Sequence, residues 1–259
     1  MIKKCPICEH KLLPSTPGVE VCESCGLGVT VKIPHQDYKQ YHRDNQYRQN
    51  EGLFRDIFLK RQQIIEKFKK GGKVLEIGSS TGVMLELFKN KGWEVLGIEP
   101  SKQAYKIAKA KNIETLNTSF ELARLQDRFY DVVILNHVLE HLENPKLILK
   151  KCYQVLTKEG IVYIDVPNFG SLASQVWKSN WRYLLTGEHN WHFTRKSLNK
   201  LLISTGFKLV HWEARSGILD LGKLSLRKSL IFGLLTFIPD LIVTKLKLGT
   251  SLTVIGKKI

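Results

Sequence analysis

Short apolar runs and amphipathic stretches alternate through the middle of this chain. The runs include Val74-Leu75, Val132 to Leu135 and Ile161 to Ile164; between them, apolar residues return every three or four positions. The first pattern predicts strands near 73–78, 94–98, 113–117, 130–136 and 161–166, and the second predicts helices near 82–90, 101–110, 119–125 and 145–156. Lys91-Gly92 stops the first of these helices, and Pro145 sits near the start of the last, where its missing N–H is harmless. Cys152 in that helix reads as a core residue. Regular alternation of strand and helix implies βαβ units and a parallel sheet, hence an α/β fold. A leading helix is expected over 51–69 from the spacing of Leu53, Phe54, Ile57, Phe58, Ile64, Ile65 and Phe68. After the fifth strand come a segment with Trp177, Trp181 and Trp191, a helix near 195–206, a strand near 207–214 and a last strand near 249–257.

Three stretches fall outside this alternation. Residues 1–30 carry Cys5-Pro6-Ile7-Cys8 and Cys22-Glu23-Ser24-Cys25, two C-x-x-C pairs with thirteen residues between them. Four thiolates at that spacing fit one tetrahedral zinc ion, with a short hairpin through Pro14 and Gly18 closing the gap. So small a zinc-ribbon-like module buries too little to fold alone, so the metal has a structural task. Residues 31–50, with Tyr38, Tyr41 and Tyr47, read either as a linker or lid over a site or as a packed connector. The main domain spans 51–259. It holds an insertion at 220–248, where the apolar run Leu230 to Ile238 is flanked by Lys223, Arg227, Lys228, Lys245 and Lys247. That run is too short to span a bilayer. The segment 223–248 suits a membrane interface, a hairpin on the sheet, or a second subunit, and leaves the oligomeric state open.

Composition narrows the class. An apolar fraction of 43% supports a buried core, and the formal net charge of +16 points to a polyanionic partner or a Lys-rich surface. No apolar signal segment follows Met1, which, with paired cysteines suited to a metal, leads us to expect a cytoplasmic protein, peripheral at the inner membrane face if 223–248 makes that contact.

The chemistry concentrates at the strand ends. Val74 to Gly82 reads VLEIGSSTG, a strand breaking into a glycine-bearing turn before a helix, which is how an open sheet approaches a nucleotide-like ligand. The order is acid-x-G-x-x-x-G, with Glu76, Gly78 and Gly82, and not the G-x-G-x-x-G of dinucleotide folds. It resembles the first motif of class I S-adenosylmethionine-dependent methyltransferases. Phe129 to Leu142 and Gly160 to Asn168 resemble that family's fourth strand with its loop and its fifth strand. The resemblance covers roughly residues 50–215 and the last strand. It implies a Rossmann-like doubly wound sheet of seven strands, order 3-2-1-4-5-7-6, the last antiparallel. It also implies S-adenosyl-L-methionine as cofactor, held by Glu76, Gly78, Ser79, Ser80, Gly82, Glu99, Pro100, Ser119, Asn136 and His137. Glu99 would take the ribose hydroxyls, and Gly78 to Ser80 the methionine end. Ser80 stands where the family usually has glycine, so a positive φ there would strain it. Asn117-Thr118-Ser119 stands where the family places an acid for the adenine.

For the acceptor side, Glu188 to Thr194 (EHNWHFT) resembles the Glu-His motif of zinc-containing sugar C-methyltransferases, and a looser pattern in methyltransferases of glycan synthesis. The tyrosine that precedes the motif in the sugar enzymes does not precede it here. His189, Glu188, His192 and His141 are the catalytic candidates, a histidine near neutrality being a ready base. The alternative is that His192 and Phe193 pack the next helix and Thr194 caps it. The expected acceptor is a small molecule, glycan or lipid-linked intermediate of envelope biosynthesis. RNA is the second choice: some ribosomal RNA guanine methyltransferases also carry a four-ligand zinc module, but Asn136-His137 differs from the Asn/Asp-Pro-Pro motif common in base N-methylation. A catalytically silent scaffold is the third.

Overall fold

A computed structural model describes residues 4–31, 51–215 and 243–259. Tyr38, Tyr41, Tyr47 and most of the 220–248 insertion lie outside the described residues. Strands β1 (Leu12–Thr16), β2 (Val19–Cys22) and β3 (Gly28–Thr30) come first, then helix α1 (Glu51–Ile65). The alternating part follows as β4 (Lys73–Ile77), α2 (Val83–Lys89), β5 (Glu94–Ile98), α3 (Lys102–Ala110), β6 (Thr115–Leu116), β7 (Tyr130–Asn136), α4 (Pro145–Val155) and β8 (Leu156–Pro167). Helix α5 (Leu172–Trp177), strand β9 (Trp191–His192), helix α6 (Arg195–Ser204) and strands β10 (Phe207–Arg215) and β11 (Ser251–Lys258) complete it.

The main sheet runs β10-β11-β8-β7-β4-β5-β6, with β11 antiparallel to both neighbours and the pairs from β8 to β6 parallel. Counted in chain order within the sheet, this is the expected 3-2-1-4-5-7-6. Both faces are buried, which is why the strands read as continuous apolar runs. The two-residue period of a strand then divides neighbours. Val132 and Ile134 join Phe58, Met84 and Phe88 on the side of α1 and α2. Val133 and Leu135 join Leu149, Cys152 and Leu198 on the side of α4 and α6. Asn144 caps α4 with Pro145 in its first turn, and Thr194 caps α6 in a capping box with Ser197.

The expected helix at 119–125 is absent. Ser119 accepts one bond from the Ala123 N–H, and the Phe120, Glu121 and Ala123 carbonyls go instead to Lys151 Nζ at 2.6, 3.1 and 2.8 Å. One distant ammonium satisfies the groups that a helical ladder would have used.

A second sheet runs β1-β2-β3-β9. The first three strands are the cysteine-bearing segment. The hairpin turns at Pro17-Gly18, with Pro14 inside β1, the edge strand, next to a bulge. The fourth strand comes from the far end of the sequence, with Gly28 opposite His192 and Val29 opposite Trp191. Cys5, Cys25, Leu27 and Val29 accordingly share one apolar cluster with Leu149, Phe193 and Leu198.

Helix α1 closes the C-terminal end of the main sheet. Arg61 reaches Asp165 at 2.9 Å, and Gln62 Nε2 donates to the Leu87 carbonyl at 3.0 Å. Asp165 lies near the end of β8, opposite Asn136, and also accepts from Ser251 Oγ at 2.5 Å and Thr253 Oγ1 at 3.2 Å. Asp165→Ala removes this ion pair from a largely buried place, and is expected to cost about 3 kcal/mol in urea unfolding. The turn after β4 generates a second expectation: Ser80 has φ +47°, the left-handed region. Ser80→Gly should stabilise the fold by about 1 kcal/mol, read as a raised thermal midpoint.

Candidate active site

Crossovers leave β4 and β7 toward opposite faces, so a cleft opens between their C-terminal ends, where open α/β sheets bind ligands. Gly78 forms its floor. Its φ is +68°, and a Cβ there would meet Val138 Cγ2 at 2.6 Å, so this position requires glycine. The Gly78 and Ser79 amides donate to the Ile98 carbonyl, and Gly82, at φ +76°, caps α2. Glu99 draws the loop across the end of β5: Oε2 accepts from the Ser80 amide and Oε1 from the Ser101 amide, each at 2.8 Å. Asn117 Nδ2 holds the Glu99 and Pro100 carbonyls at 2.8 and 3.1 Å. Pro100 and Ser119 are half-buried at this rim.

The cleft lies between Phe58, Glu76, Gly78 to Thr81, Met84 and Asn136. Four polar atoms buried in these residues lack a hydrogen-bond partner: Glu76 Oε2, Ser79 Oγ, Ser80 Oγ and Asn136 Oδ1. Buried polar groups are otherwise almost always paired, so this cradle is built for a polar ligand. Burial drives the Glu76 carboxyl well above its ordinary pKa, with the Glu99 charge adding to the rise and Arg61 opposing it. A cation placed there would relieve both. The amino-acid end of S-adenosylmethionine carries an ammonium and a carboxylate, and this donor and acceptor set fits it.

One residue beyond Asn136 the chain enters a histidine cluster. His137 has φ +54°, and its Nδ1 lies 3.3 Å from Glu140 Oε1 and its Nε2 3.8 Å from Asp165. Burial alone would lower the His137 pKa, but Glu140 and Asp165 outweigh it and the net shift is upward. Burial alone would raise Glu140, but His137, His141 and His189 bring it down to about 2, so its carboxylate is ionised. His141 Nδ1 donates to the Glu188 carbonyl and His189 Nδ1 to the Tyr183 carbonyl, both at 3.0 Å. The His141 and His189 rings meet edge to face with centroids 4.7 Å apart. His192 sits behind them, its ring centroid 6.2 Å from that of His189.

The structure therefore gathers His137, His141, His189 and His192 from two loops far apart in sequence. Glu188 contributes a backbone carbonyl to this group. The carboxylate among the imidazoles is that of Glu140, which the sequence reading passed over; its signal was its place three residues after His137 and beside His141. Asp165 and Arg61 carried no sequence signal.

Among the cysteines, the Cys5 and Cys25 sulfurs are 3.6 Å apart and those of Cys8 and Cys22 3.4 Å. All four lie within 4.8 Å of one another, a tetrathiolate set suited to zinc. Thr30, at the end of this segment, ties it to the histidines. Its hydroxyl donates to the His189 carbonyl at 2.6 Å, so the contact with His192 Nε2 at 3.0 Å runs from imidazole N–H to Thr30 Oγ1.

Burial lowers the His192 pKa to about 4, Glu140 opposing. A lowered pKa means that the unfolded chain binds the proton more tightly. This contribution is therefore full above pH 6.5 and is lost as pH falls toward 4. Urea melts between pH 7 and pH 4.5 should show stability falling, and His192→Gln should remove on the order of 2 kcal/mol of that fall.

A family model described as "Methyltransferase domain" matches residues 16–212. The chain is 29% identical over 105 residues to a ubiquinone biosynthesis O-methyltransferase of Photobacterium profundum, covering 38% of this chain and 45% of that one. It is 27% identical over 145 residues to the C-methyltransferase NovU of Streptomyces niveus, covering 54% and 34%. In both cases it spans less than half of the relative. A crystal structure of an S-adenosylmethionine-dependent methyltransferase from Archaeoglobus fulgidus superposes with a TM-score of 0.58 at 24% identity, over 79% of this chain and 94% of that one. With a family match over most of its length and a sheet in the same strand order, this chain belongs to the methyltransferase-domain family and has the fold of S-adenosylmethionine-dependent methyltransferases.

Proposed function

We propose that the chain transfers a methyl group from S-adenosylmethionine to a sugar, glycan or lipid-linked acceptor. The observation that carries the cofactor half is the set of four partnerless polar atoms around the Gly78 turn. When bound, the cofactor supplies an electrophilic methyl carbon, and the enzyme's work is mostly to position the acceptor against it. Glu76, Ser79, Ser80 and Asn136 would hold the amino-acid end, and Glu99 the ribose. The acceptor would meet the face formed by His137, Glu140, His141 and His189, a group of titratable side chains suited to an acceptor that loses a proton on methylation.

The acceptor half is supported by the resemblance of Glu188 to Thr194 to glycan-synthesis methyltransferases, and the relatives' names span oxygen and carbon methylation. Zinc on Cys5, Cys8, Cys22 and Cys25 would be structural, because four thiolates complete its coordination. Its task would be to hold β3, and through Thr30 the His189 loop. Among the described residues no helix is long and apolar enough to cross a membrane. Contact of 223–248 with a membrane surface belongs to this proposal as the route to a lipid-linked acceptor.

Titration calorimetry with S-adenosylhomocysteine tests the cofactor half. The wild type should bind at micromolar Kd, and Glu99→Ala should weaken binding at least tenfold. A folded wild type that does not bind overturns the reading. Methyl transfer from labelled S-adenosylmethionine to nucleotide-linked or polyprenyl-phosphate-linked sugars should exceed transfer to RNA; the net charge of +16 makes RNA the competing acceptor, and the reverse order would make it the substrate.

A further inference from the structure

The histidine cluster contains more than an ion pair needs. Glu140 is 1% exposed, and neither carboxylate oxygen has a hydrogen-bond donor at bonding geometry. A salt bridge to His137 would account for one imidazole. It does not account for His141, whose Nε2 lies 4.0 Å from Glu140 Oε1, nor for His189 packed against His141. We propose that Glu140, His141 and His189 form a binding site for a divalent transition-metal ion, separate from the four cysteines.

Three observations carry this. First, one ligand atom from each of the three residues lies within 4.8 Å of the others, and all three residues are buried. Second, both histidines are oriented as metal-binding imidazoles are: each gives its Nδ1–H to a backbone carbonyl, of Glu188 and Tyr183, so the lone pair of the neutral ring is on Nε2. Third, the two loops are fastened to each other. Asn190 Nδ2 donates to the His141 carbonyl at 2.8 Å, Trp191 Nε1 to the Leu142 carbonyl at 2.6 Å, and the Asn190 amide to the Glu140 carbonyl at 2.8 Å. The ligands are thus held together before any ion arrives.

Two imidazoles and one carboxylate are a borderline donor set. They suit manganese, iron, cobalt or zinc better than magnesium or calcium, which take oxygen ligands. Three protein ligands leave coordination positions for an acceptor oxygen. Placing that oxygen beside the transferred methyl rests on the cofactor reading above; the metal site itself does not.

Manganese(II) is the probe, added to the full chain with its cysteine-bound ion retained. Loss of the free-ion electron paramagnetic resonance signal should show one bound equivalent per chain. Glu140→Gln and His141→Asn should each weaken binding at least 100-fold, with S-adenosylhomocysteine binding unchanged. In the wild type, manganese should broaden the ring signals of His141 and His189, a readout that needs no variant. No uptake by a chain that binds S-adenosylhomocysteine, or equal uptake by wild type and both folded variants, overturns the site. Uptake lost in the variants of a chain that does not bind S-adenosylhomocysteine leaves the metal site standing and removes the cofactor reading.

Discussion

A parallel sheet buried on both faces must send its crossovers to both sides, and between β4 and β7 the direction changes. Helix α2 leaves β4 for the face shared with α1, while α4 leaves β7 for the face shared with α6. Nothing can fill the gap between their starting turns except what those turns carry. The Gly78 floor, the orphaned polar atoms and the 137–141 loop all follow from that divergence. So does the placement of α1, whose Arg61 closes the sheet end through Asp165.

Two buried carboxylates on this rim move in opposite directions. Glu76 is raised, chiefly by burial and by the neighbouring Glu99 charge. Glu140 feels the same burial, but three imidazoles pull it down. The residue type and the depth are alike, and the sign is set by neighbours. One site awaits a cation from the ligand, and the other is already arranged among groups that favour its charge.

The sheet was legible because burial on both faces writes itself as uninterrupted apolar runs, and the helix starts because Pro145 and Thr194 are local signals. The turn motif was legible for the same reason: Gly78 answers to its own backbone. What escaped was non-local. The helix at 119–125 failed because Lys151, some thirty residues on, takes its carbonyls. Strand β9 is two residues long and exists only as a partner for β3. Glu140 was readable as an acid beside a histidine, but its centrality depends on His189 arriving from another loop. The cysteine pairs gave the ligand set, but not that their sheet would be completed by Trp191 and His192.

That completion has a consequence for how the chain is made. Thr30 and His192 stand 162 residues apart, and β9 is the outer neighbour of β3 in the small sheet. On a ribosome adding about 5–20 residues per second, the amino-terminal hairpin emerges roughly 8–30 s before its fourth strand does. During that interval the edge of β3 is open and must be kept from other chains. The hairpin is therefore completed only when a segment made much later, the histidine loop, folds onto it.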